Sequence, residues 1–155
     1  MLHTVLLGAH VAAGTVGLLL GPLALAAAKR PGWHPRLGVA YQGAVGVLTL
    51  SALGLAALAP ARLWGLGVVA TATEIAALAG WAVQRRHAPG WLAAHVRLMC
   101  GSYVSFVTAA LVVNWASPLA WVLPTAIGTP LIALAVRRAT HPAVSRRPVR
   151  TGVAA

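Results

Sequence analysis

The stretch "VLLGAHVAAGTVGLLLGPLALAAAKRPGWHPR", Val5 to Arg36, joins a long run without a formal charge to a short basic connection. Its uncharged part, Val5 to Ala28, exceeds the ~20 apolar residues that a helix needs to cross the hydrocarbon core of a bilayer. Charge follows the apolar run instead of preceding it, which is the wrong polarity for a cleaved signal peptide. The run is therefore expected to stay as a first membrane span.

Composition extends this reading to the whole chain. The 155 residues are 59% hydrophobic and only 8% charged, with a mean hydropathy of +0.82. Soluble domains carry roughly 25% charged residues. A soluble fold of this size has too little interior to hide so much apolar surface, and a lipid solvent removes the difficulty. The formal net charge of +11 is held in short clusters between apolar runs, a pattern of membrane topology. A nucleic-acid partner is not expected. The single cysteine, Cys100, excludes an intrachain disulfide.

Four more runs follow: Leu37 to Ala59, Leu63 to Val83, Leu92 to Trp115 and Pro118 to Val136. Together they predict an all-α, polytopic transmembrane helical bundle of five spans over residues 1–138. A basic tail over 139–155 is expected to lack fixed structure. Pro124 and Pro130 predict a kinked or broken fifth segment. With five spans, Lys29, Arg30, Arg36, Arg85, Arg86 and the arginines of the tail share one face, and Arg62 stands alone on the other. The positive-inside rule then puts the N-terminus outside and the C-terminus in the cytoplasm of a bacterial inner (plasma) membrane. Trp33, Trp64, Trp91, Trp115 and Trp121 fall at span ends, where indoles anchor helices.

Ionisable groups within spans are functional candidates by default. Glu74, the one acidic side chain of the chain, sits near the middle of the third span. There a carboxylate costs about 2.5–3.5 kcal/mol on an insertion scale. It is a candidate proton carrier or counter-ion, or else a structural acid joining two helices. Gly67, Ala70, Ala77 and Trp81 share its helical face, which predicts that this face points inward. Arg97 either snorkels to the headgroups or reaches down to pair with Glu74. His10 lies over a stripe formed by Gly14, Gly17 and Gly21. It is either an axial ligand to a b-type haem or a hydrogen-bonding residue above a small-residue packing seam. His10 and His95 are roughly 20 Å apart along the membrane normal by helix rise, so one haem cannot hold both. A haem pair would need His34 with His95. Which metal the chain would bind, if any, is left open by these residues. Tyr41, Gln42 and Thr49 are expected to form interhelical hydrogen bonds.

Several motifs carry a resemblance. "AHVRLMCGSYVSFVTAALVVNW" and "WVLPTAIGTPLIALAVRR" supply His95 and Met99, the run Thr108 to Asn114, and the segment Trp121 to Ile132. They resemble a family of small bacterial multi-pass membrane proteins known as a domain of unknown function. "GWHPRLGVAY" is similar to that family's His-Arg-x-x-Gly-x-x-Tyr element, with Pro35 separating His34 from Arg36. The resemblance implies a helical multi-pass fold and no established activity, and it marks Asn114 and Pro124 as pattern positions.

Three functions are compatible with these residues. The first is a small integral membrane protein without a catalytic centre: an accessory, assembly or small-ligand-binding component, partnered by lipid, other membrane subunits or a second copy. The second is a redox module with haem b held by His10, His34 or His95. The third is a proton-coupled carrier using Glu74.

Overall fold

The computed structural model describes residues Met1 to His141, and within them every regular element is an α-helix. The helices are α1 (Leu2–Ala26), α2 (Trp33–Leu58), α3 (Pro60–Arg86), α4 (Trp91–Asn114) and α5 (Leu119–Thr140). All five are long and apolar enough to cross a membrane. Helix α5 runs two residues beyond the expected boundary at 138, and the remainder of the predicted tail lies outside the described residues.

Local chemistry sets the breaks. Gly32, at φ 128°, takes a backbone conformation closed to most side chains and turns the chain into α2. Ala59 is at once the C-cap of α2 and the N-cap of α3. Pro60 has no N–H to continue α2, yet fits the first turn of α3. His87 in the left-handed region closes α3, and Gly90 at φ 76° opens α4. The fifth segment is not broken: α5 is one continuous helix with Pro124 and Pro130 inside it. Each proline removes a single i→i−4 bond, a loss that membrane helices absorb, and Pro124 and Gly128 are buried.

Helices adjacent in sequence pack side by side from α1 to α5, and a lighter contact between α1 and α4 closes the first four into a ring. Helix α5 lies against α4. The core contains Ala13, Tyr41, Val45, Leu48, Ala77 and Phe106, flanked by Leu18, Leu20, Met99 and Tyr103. Thr49, Ser51, Thr73, Ser102 and Thr108 are buried with them, whereas Leu19, Leu50, Val68, Ile75 and Leu131 face outward. Small and hydroxylated residues inside, with large aliphatics outside, is the distribution of a bundle whose solvent is lipid.

The expected glycine seam is a packing seam. A Cβ on Gly17 would stand 2.9 Å from the Phe106 ring, and one on Gly21 would collide with Tyr103. Both aromatics belong to α4, so the two glycines let that helix set its rings directly against α1. Gly14 faces Leu48 of α2 instead. The Tyr103 hydroxyl also donates to Leu18 O at 3.1 Å. That carbonyl would ordinarily accept from residue 22, which is proline and has no N–H. Tyr103 thus supplies the donor that Pro22 removes.

A double-mutant cycle tests this coupling. Tyr103→Phe should lower stability in detergent by about 1 kcal/mol and should cost little in a Pro22→Ala background, where the helix bonds its own carbonyl. Equal losses in the two backgrounds would contradict the coupling.

Candidate functional site

Gln42 on α2 and Glu74 on α3 meet inside the bundle. The Gln42 Nε2 group donates to Glu74 Oε1 at 2.7 Å. The other oxygen of each group, Gln42 Oε1 and Glu74 Oε2, is buried and has no hydrogen-bond partner. Two buried acceptors on one bonded pair lack a donor, and a buried acceptor left unmatched costs about 1–3 kcal/mol. An ionised carboxyl offers only acceptors, whereas a protonated one adds a single O–H. The pair is one proton short.

Neighbouring hydroxyls are matched and leave that deficit localised. Thr73 donates to Val69 O at 2.8 Å, which leaves its oxygen to accept from Ser105 at 2.7 Å. Thr49 donates to Ala70 O at 3.3 Å, and Tyr41 shares a bond with Ser102 at 3.2 Å. The face of α3 that carries Glu74 points inward at Gly67, Ala70 and Ala77, as expected. Trp81 departs from that expectation: it is exposed, with the Arg85 guanidinium 3.7 Å from its ring centroid. A large indole that stacks a cation is better placed at the bundle surface.

Arg97 is exposed, and among the described residues the acid's one bonded partner is Gln42. The structure therefore couples Glu74 to an amide and leaves Arg97 outward, in the geometry of a residue that snorkels.

Of the three candidate histidines, His34 and His95 lie near each other and His10 is set apart. His10 places Nδ1 3.2 Å from Ser51 Oγ and 3.3 Å from Leu48 O, joining α1 to α2. His34 places Nδ1 2.8 Å from Ala24 O at the end of α1, and His95 places Nδ1 2.9 Å from Gly80 O of α3. Carbonyl partners assign the Nδ1 proton and leave Nε2 as the acceptor. Ser51 spends its hydroxyl proton on α2 carbonyls, so the same tautomer follows for His10. His34 and His95 are within electrostatic reach of each other. His10 lies at the level of residues 48–51 of α2, roughly 20 Å from His34 by helix rise. Each imidazole thus spends Nδ1 on a hydrogen bond at a helix-to-helix or helix-end contact and, among the described residues, keeps Nε2 without a bonded partner of its own. Among the described residues no group of three or more His, Cys, Asp or Glu is placed to hold a metal.

Lys29 has a task that its place in a basic cluster does not reveal. Its Nζ donates to Ala24 O, Leu25 O and Ala27 O. Three acceptors use all three N–H groups of an ammonium, at the helix end where a cation is favoured. Desolvation by burial works against this and lowers the Lys29 pKa from its ordinary value. Of the two positions marked by the family resemblance, Asn114 donates to Ala110 O at 2.8 Å in the last turn of α4, and Pro124 is buried in α5.

No family model, curated protein or solved structure matches this chain.

If Glu74 is the neutral partner of an amide, Glu74→Gln should keep stability within about 0.5 kcal/mol, since a second amide restores both bonds. Gln42→Leu, which strands the acid, should cost about 1–2 kcal/mol. Unfolding in detergent micelles measures both. A loss in Glu74→Gln as large as that in Gln42→Leu would show that the carboxylate charge is what the fold requires.

Proposed function

We propose that the protein is a proton-handling integral membrane component and not an enzyme, with Glu74 as the group that takes up and releases the proton. The supporting observation is the paired deficit at Gln42 Oε1 and Glu74 Oε2. A proton on Glu74 Oε2, donated to Gln42 Oε1, closes two reciprocal bonds between acid and amide. It also removes a charge from a depth at which ionised carboxyls are expensive. Separation of α2 from α3 breaks the ring and frees the proton. A proton-coupled carrier uses a membrane carboxyl in this way, and a five-helix protomer would build a full pathway as a dimer. In this reading the basic end, carrying Lys29, Arg30, Arg36, Arg85, Arg86, Arg137 and Arg138, faces the cytoplasm of a bacterial inner membrane. The resemblance to small multi-pass proteins of unknown function agrees with the architecture and adds no activity.

A second reading, an accessory subunit or a homo-oligomer, is favoured by a different feature. A cleft of about 380 Å³ between α3, α4 and α5 is lined by Val69, Ser105, Thr108, Trp121, Thr125 and Thr129. Thr125 and Thr129 are exposed on α5, and hydroxyl-bearing faces in lipid are where helices associate. Disulfide crosslinking of Thr125→Cys in native membranes, in a Cys100→Ala background, reports whether a second copy docks there.

The proton reading is tested by infrared spectroscopy of the protein in lipid, where a single acidic side chain gives one carboxyl C=O band. That band should be present at neutral pH, shift on exchange into D₂O and vanish in Glu74→Gln. A band that resists deuteration in the folded protein would mark Glu74 as a sealed structural acid, and absence of the band would mark it as ionised.

A further inference from the structure

A second cleft, of about 600 Å³, opens at the basic end between the last turns of α1 and the first turns of α2. Leu23, Ala26 and Leu37 lie among its walls, and Arg30, Pro31 and Trp33 at its rim. Leu23 lies three residues before the end of α1, and Leu37 four residues into α2. The apolar wall therefore reaches roughly 5 Å along the helix axes into the lipid-facing zone, while Arg30 stands in the connection above it. Trp33 is 73% exposed beside them. The cleft is amphipathic along the membrane normal: aliphatic below, cationic and aromatic above.

Charge decides what fits it. The chain has one acidic side chain, Glu74, and that group is engaged with Gln42 in the bundle. Arg30 has no carboxylate side chain of its own chain to pair with, so its counter-anion comes from outside. Lys29 beside it is committed to three α1 carbonyls, which quenches the negative end of that helix and leaves Arg30 to meet an anion. Arg36 in the first turn of α2, and Arg85, Arg86, Arg137 and Arg138 in the last turns of α3 and α5, lie at the same end of the bundle, and their summed field concentrates anions there. A soluble phosphate would satisfy Arg30 and leave the aliphatic wall unused.

We propose that this cleft binds an anionic phospholipid, with the phosphate on the Arg30 guanidinium and an acyl chain along Leu23, Ala26 and Leu37. A guanidinium presents paired N–H donors that match phosphate oxygens, and the Trp33 indole sits at the headgroup level that it favours. The inference is independent of the role of Glu74.

Native mass spectrometry of the full chain in detergent tests it, with phosphatidylglycerol and phosphatidylcholine offered together. The wild-type chain should retain phosphatidylglycerol in preference. Arg30→Gln should reduce that preference about fivefold, the equivalent of ~1 kcal/mol for one interfacial cation. Arg138→Gln, at the same end, and Arg62→Gln, at the opposite end, should leave it near the wild-type value. Glycerol phosphate, a headgroup without chains, should not displace the lipid. Circular dichroism confirms that each variant remains helical. Equal losses in Arg30→Gln and Arg138→Gln would show diffuse attraction without a site, no preference in the wild type would remove the site, and displacement by glycerol phosphate would remove the acyl subsite.

Discussion

Lipid offers no hydrogen bonds, and that constraint organises the whole bundle. Every polar group carried into the apolar zone must be matched by another group of the chain. The matches are specific. Pro22 deprives Leu18 O of its helical donor, and Tyr103 on α4 replaces it. His10, His34 and His95 each bond a carbonyl of another helix. Thr73, Ser105, Tyr41 and Ser102 pair across helices. Because large aliphatics face outward and small residues face inward, such bonds and close ring-to-glycine contacts take over much of the role that apolar burial has in water.

Against that background the Gln42–Glu74 pair stands out as the place where the matching stops one donor short. The deficit has a physical resolution that changes no atom of the fold: a proton. The same pair joins α2 to α3, whose connection is a single residue, Ala59. Under the proposed proton role, occupancy of Glu74 would enter into how tightly these two helices associate, as a titrating group biases a two-state element.

Much of the architecture was legible in the sequence because hydropathy and helix length are strong signals. The five runs closed by "KRPGWHPR", "PAR" and "QRRHAPGW" correspond to five helices, each extended by one or more residues at an end that composition alone could not place. The glycine stripe of α1 was visible as a seam, but its partner was not, since nothing local identifies Tyr103 and Phe106 as the rings that fill it. Pro124 and Pro130 suggested a kink or a break, and the break does not occur, because each removes one bond and the rest of the helix retains its own. Glu74 was conspicuous as the lone acid, yet Gln42 passed as one of several polar residues of α2. Their pairing depends on the rotation of α2 against α3, which no periodicity fixes. The histidines were conspicuous in the sequence, but the interhelical carbonyls that hold their Nδ1 atoms were not, since those contacts depend on how the helices pack. The carbonyl crown on Lys29 was hidden by its place in a basic cluster, although a cation just past a helix end was a usable signal.

The most direct test of the central claim is solid-state NMR of the protein in lipid, with ¹³C at glutamate and ¹⁵N at the glutamine side chains. The sequence supplies one glutamate and two glutamines, Gln42 and Gln84, so the spectrum assigns itself. The account predicts a single side-chain carboxyl resonance in the neutral-acid range at pH 7, with through-space contact to the Gln42 amide nitrogen. A carboxylate resonance without that contact would contradict it.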